Sequence, residues 1–132
     1  FKMKKLAMLI LLAAPNLFAA TDFLGQTQLN FATDGDVIHV TGQCPSPANK
    51  PVYALKIQVL HRAAEINYLA VQYGNGQRDY LPVRQYFAAG ASSQWIDLNG
   101  AYRCVEKITI VGDTQAALPG GPKALIQVFG LR

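Results

Sequence analysis

Apolar residues open this chain in one unbroken run and, past residue 20, alternate with polar ones almost to its end. The run, residues 6–14 (LAMLILLAA), stands behind Lys2, Lys4 and Lys5. Pro15 and Asn16 interrupt it, and Leu17-Phe18-Ala19-Ala20 puts small residues where a signal peptidase cuts. It is too short to cross a bilayer, which takes about 20 residues. The pattern predicts a cleaved export signal helix over residues 1–20 and one domain over 21–132. With no cysteine at the cleavage point, no lipid tether or stable membrane anchor is expected, and the product is periplasmic or secreted.

The alternation beyond residue 20 has the period of strands, and no segment sustains a helical one. A first strand is predicted over residues 23–31, with Leu29 and Phe31 on one face. The turn Thr33-Asp34-Gly35-Asp36 leads to a second over 37–41. There Ile38 and Val40 form the core face, and Val37 suggests partial cover of the other. After the proline-rich stretch 44–51, residues 52–60 place Tyr53, Leu55, Ile57 and Val59 together. Residues 65–73 and 78–87 form a hairpin around Gly74-Asn75-Gly76-Gln77, since Asn-Gly supplies the positive φ angles that tight hairpins need.

Two hairpin registers compete. A two-residue loop would pair Val71 with Tyr80 and Leu69 with Pro82. One extra loop residue, with Gly76 or Gln77 in a bulge, pairs Val71 with Leu81 and Leu69 with Val83. The second matches apolar with apolar and is preferred. Pro82 suits an edge or a bulge, because it has no N–H for a central ladder. Residues 94–98, with Ile96 and Leu98 inward, then 104–111 and 124–129 complete about eight short antiparallel strands. Leu118-Pro119-Gly120-Gly121-Pro122 makes a turn between the last two. The expected fold is all-β, a single-domain sandwich of jelly-roll type.

Composition changes the picture once the signal is set aside. Three of the chain's twelve Lys and Arg lie in it, leaving nine against eight acids. So small and scattered a surplus makes no electrostatic footprint for nucleic acid, and none is expected as partner. Cys44 and Cys104 are the only cysteines. An exported pair is most simply a disulfide. The alternatives are a reactive thiol pair, or half a metal site completed by His39 and His61.

Candidate chemistry is sparse. His39 and His61 are the natural bases near neutral pH, and Ser92 and Ser93 the imaginable nucleophiles. Neither a G-x-S-x-G elbow nor an H-E-x-x-H pair is present, so no catalytic residue, metal or cofactor is assigned. Asp34 and Asp36 read as an ordinary turn before a calcium loop. Asp97 and Arg103 bracket the Asn99-Gly100 turn and predict a local salt bridge or turn-stabilising bond. The preferred register sets Tyr68 opposite Arg84 and Gln72 opposite Tyr80 on the outer face, with Tyr86 nearby. Rings beside a guanidinium and an amide suit a sugar or a peptide segment. Trp95 is a second exposed-aromatic candidate.

Phe23-Leu24-Gly25, Ala54-Leu55-Lys56-Ile57, Trp95-Ile96-Asp97-Leu98 and Arg103-Cys104-Val105-Glu106-Lys107-Ile108-Thr109 together resemble the YaaI-type family of small exported bacterial proteins. That resemblance covers most of the domain and implies an exported all-β fold, without an activity. Family members carry a cysteine just before the strand matching residues 54–59, where this chain interposes 45–51 after Cys44. The reading is an exported, non-catalytic binding module for a glycan, an envelope component or a protein partner. Strand-edge pairing in a structural or subunit role is the alternative, and a small hydrolase a distant third.

Overall fold

Eight strands follow one another through the chain: β1 (Thr21–Gln28), β2 (Asp34–His39), β3 (Ala54–Leu60), β4 (Ala64–Tyr73), β5 (Arg78–Phe87), β6 (Ile96–Asp97), β7 (Val105–Thr114) and β8 (Leu125–Leu131). They come from a computed structural model that describes residues 20–116 and 120–132. The predicted signal, up to residue 19, and residues 117–119, which include the first two of the predicted turn, lie outside the described residues. Among the described residues there is no helix.

The strands form two antiparallel four-stranded sheets, β1-β8-β3-β6 and β2-β7-β4-β5. Only β4 and β5 follow one another within a sheet; at every other connection the chain changes sheet, which is the winding of a jelly roll. Leu55, Ile57, Val59, Ile126 and Val128 of the first sheet share one buried cluster with Ile66, Leu69, Val71, Ile108 and Ile110 of the second. Each set is spaced by two within its strand, apart from one extra residue between Ile66 and Leu69, as a half-buried sandwich sheet requires.

Several details depart from the pattern reading. The residues Asp34, Gly35 and Asp36 are strand rather than turn, in register with Gly112, Val111 and Ile110, and the bend falls at residues 31–33. β7 runs long enough to pair with them, and pairing satisfies more backbone groups than a turn there would. β1 stops at Gln28, so Leu29 is buried while Phe31 sits half-buried in the bend. Val37 is 44% exposed on an edge strand, with no cover over it among the described residues. Tyr53 precedes β3 and is not core; Val52 and Ala54 take the buried places, and Tyr53 meets Tyr102 edge-on at 5.2 Å. β6 is two residues long, and although Leu98 is buried, Ile96 only packs against the core's margin.

The hairpin holds Leu69 opposite Leu81 and Val71 opposite Asp79, two residues away from the preferred register. Its loop has the expected extra residue but is Gly74-Asn75-Gly76, closed by Tyr73 N–H on Gln77 C=O at 2.9 Å. Gly76 takes the positive φ of 90° at the last loop position, and Gln77 N–H is held by Asn75 Oδ1 at 3.0 Å. A glycine reaches that conformation at less cost than Gln77 would. Because the slip is even, Leu69, Val71 and Leu81 still face the core, with Val83 at its margin.

Candidate functional site

A bulge decides which side chains the second sheet shows to solvent. In β4, Ile66 and Leu69 both point inward with two residues between them instead of one, so Asn67 and Tyr68 both point outward. Against β7, Ile66 pairs with Gly112 and Tyr68 with Val111, which leaves Asn67 unpaired. Against β5, Ile66 pairs with Gln85 and Tyr68 with Pro82, so Val83 and Arg84 together oppose Asn67. Arg84 takes a φ of 49° there. Bulges re-aim side chains in this way without ending a strand.

Tyr68 is half-buried and Tyr80 is 65% exposed, and their rings meet edge to face with centroids 5.8 Å apart. Glu65, Asn67, Pro82 and Arg84 complete the lining of an open depression of about 690 Å3 around them. The ion pair found among the described residues is Arg132–Asp22, so Glu65 and Arg84 stand without one. Pro82 lies on β5, at the sheet's edge, as its missing N–H demands. The face therefore combines two rings, one cation, one anion and an amide.

The residues singled out from sequence are only partly gathered here. Tyr68, Tyr80 and Arg84 line the depression, but Tyr68 is opposite Pro82 rather than Arg84. Gln72 is opposite Arg78 rather than Tyr80, and its Nε2 donates to Glu106 at 3.0 Å. Tyr86, 58% exposed, is opposite Glu65 and outside the lining. Trp95 lies just before β6 at the other sheet, half-buried rather than exposed, with the Lys56 ammonium 4.7 Å from its ring centre. Glu65, Asn67 and Pro82 were missed as lining residues. Asn67 in particular sits at a bulge that breaks the alternation from which faces are read.

The catalytic candidates do not converge. His39 is exposed on β2, and His61 is exposed just past β3 with a φ of 74°. Ser93 is buried, its hydroxyl donating to Gln94 C=O at 2.8 Å and accepting from Ile57 N–H at 2.9 Å. Ser92 is exposed in a bridge to Gln58. No group of three or more His, Cys, Asp and Glu stands together among the described residues. Burial, reinforced by the neighbouring Asp34 charge, raises the Asp36 carboxyl above its usual range against the pull of Lys123.

One end of the sandwich is tied by a polar network beside the Cys44–Cys104 disulfide. Tyr73 is buried, its ring under the Arg103 guanidinium at 3.8 Å, and its hydroxyl donates to Asp79 Oδ2 at 2.6 Å. Burial, then the bond to Asp79 and that residue's charge, push the phenol far above its usual range, so it stays a donor. The same hydrogen bond, followed by Asn99 and Arg103, holds Asp79 below the ordinary carboxylate range against desolvation. Arg103 also donates to Asn99 C=O at 2.9 Å, the turn-stabilising bond expected, and not to Asp97.

Tyr73→Phe should therefore cost about 1–2 kcal/mol at pH 7, the low end for a hydrogen bond to a charged group because solvent screens the half-exposed Asp79 carboxylate. A depressed carboxylate stabilises the fold above its unfolded pKa of about 3.9, and that contribution disappears as pH falls through the folded value. Denaturation curves should show the wild-type advantage shrinking as pH drops below about 4. An advantage that stays constant to pH 2 would contradict the Tyr73–Asp79 assignment.

No curated protein and no solved structure matches the chain. No described helix is long and apolar enough to cross a membrane. The model of a domain of unknown function, DUF2541, matches residues 5–130. The chain belongs to the DUF2541 family.

Proposed function

We propose that this is an exported, non-catalytic binding protein that holds a glycan on the outer face of β4 and β5. The observation that carries the reading is the depression of about 690 Å3 built around the Tyr68–Tyr80 pair. A sugar ring has an apolar C–H face and a rim of hydroxyls. Tyrosine offers apolar area with a polar tip. Glu65 accepts hydrogen bonds, Arg84 donates them and Asn67 does both. The Cys44–Cys104 disulfide is consistent with an oxidising, exported location. The YaaI-type resemblance and the leader expected over residues 1–20 support the same compartment, periplasmic or secreted.

The test is binding of the mature protein and of Tyr68→Ala/Tyr80→Ala to an oligosaccharide array. The double variant should lose about tenfold or more in affinity, as loss of ring contacts worth about 1.4 kcal/mol or more demands. Both tyrosines lie on the solvent side, so melting should move by only a few degrees. Equal binding by the two proteins, or none by either, would remove the proposal.

A further inference from the structure

The outer face of the second sheet also carries a row of side chains that neither its sequence nor the tyrosine depression brings to notice. His39, Lys107, Gln72 and Arg78 stand in register across β2, β7, β4 and β5. Adjacent strands lie about 4.8 Å apart, which puts the Cα atoms of Lys107 and Arg78, two strands apart, roughly 10 Å from each other. Their long side chains flank Gln72 from both sides. With Gln72, Ala70, Thr109 and Tyr80 they line a small pocket of about 100 Å3. Tyr80 lines this pocket and the larger depression alike.

We infer that the glycan held here carries an anionic substituent, a carboxylate or a phosphate, seated between Arg78 and Lys107 above Gln72. The inference rests on the glycan reading above. Neither cation has an ion-pair partner among the described residues. Glu106 accepts from the Gln72 amide and keeps its charge beside this seat, so the two cations outnumber it by one. Gln72 Oε1 is buried without a hydrogen-bond donor among the described residues. At the far end of the face Glu65 and Asp113 stand side by side in register. That acidic end repels an anion, so the charge gradient fixes which way the ligand lies: ring against the tyrosines, substituent toward Arg78 and Lys107.

The experiment compares matched neutral, uronate-bearing and phosphate-bearing oligosaccharides on one array, with wild-type protein and Arg78→Gln/Lys107→Gln. An acidic arm should bind at least about tenfold tighter than its neutral match, the scale of one or two charge-assisted hydrogen bonds. The double variant should erase that difference, as should salt that shortens the Debye length to about 3 Å. Whichever acidic arm shows the preference identifies the substituent. Equal binding of neutral and acidic sugars, unchanged in the variant, overturns this inference and leaves the glycan reading standing. No binding in any arm overturns both.

Discussion

Gly112→Ala should cost the domain about 3 kcal/mol or more, at the upper end of what overpacking a core does. A Cβ at Gly112 would collide with the Glu65 carbonyl oxygen and lie 3.1 Å from Ile66 Cα. Both are backbone, so no side chain can swing aside. β7 and β4 touch here because Gly112 pairs with Ile66 at the start of the bulge that turns Asn67 and Tyr68 outward. Making room means separating the two central strands of the second sheet or flattening the bulge. Gly76→Ala is the control: its φ is 90°, but nothing stands within 4 Å of the new atom. It should lose only the left-handed backbone cost of about 1–2 kcal/mol. Urea denaturation of both variants decides, and a smaller loss at Gly112 than at Gly76 would contradict this strand contact.

The paired variant Cys44→Ala/Cys104→Ala should lose about 2–5 kcal/mol, against a total of about 5–15 kcal/mol for such domains. The bridge closes a span of 60 residues with Cα atoms 5.6 Å apart. It ties the loop after β2 to the entry of β7. Asn49, itself buried, reinforces the same junction by donating to Val105 C=O at 3.0 Å and to Cys44 Sγ at 3.4 Å. Gly74 of the hairpin loop packs so close that a Cβ there would sit 2.6 Å from Cys44 Cβ. Three segments distant in sequence therefore meet at one link, and the unfolded chain without it has far more freedom to lose. For a domain of this size the melting temperature should fall by roughly 10–20 °C. A fall of only two or three degrees would mean that packing alone holds these segments together.

Strand identity and facing were legible because period-2 alternation is a local signal. Ile38 with Val40, Leu55 with Ile57 and Val59, and Leu69 with Val71 all lie inward as their spacing implies. Pro82 announced an edge for an equally local reason. The hairpin register was harder, since the observed loop over 74–76 and the one over 75–77 that the preferred register implies differ only in which residue takes the left-handed position. Both loops keep the same faces, so hydrophobic pattern alone cannot separate them. The bulge at Asn67 was invisible: it depends on the approach of Gly112, which lies 45 positions along the chain. For the same reason the tyrosines could be proposed as a surface from one hairpin, whereas Lys107 could not be placed beside Gln72 and Arg78. That neighbourhood exists only through the β4–β7 pairing, and a jelly roll makes its central pairings between strands remote in sequence.

The Tyr68–Tyr80 face of the second sheet is the proposed binding surface. Titrating the labelled mature protein with the tightest-binding oligosaccharide, while following backbone amide signals by NMR, reads this residue by residue. Saturable shifts should concentrate at residues 67–70, 80–84 and 107–109, with the first sheet around Lys56, Trp95 and Phe129 unmoved. Shifts centred instead on Phe23, Lys56, Trp95 and Phe129, with the tyrosine face silent, would contradict it.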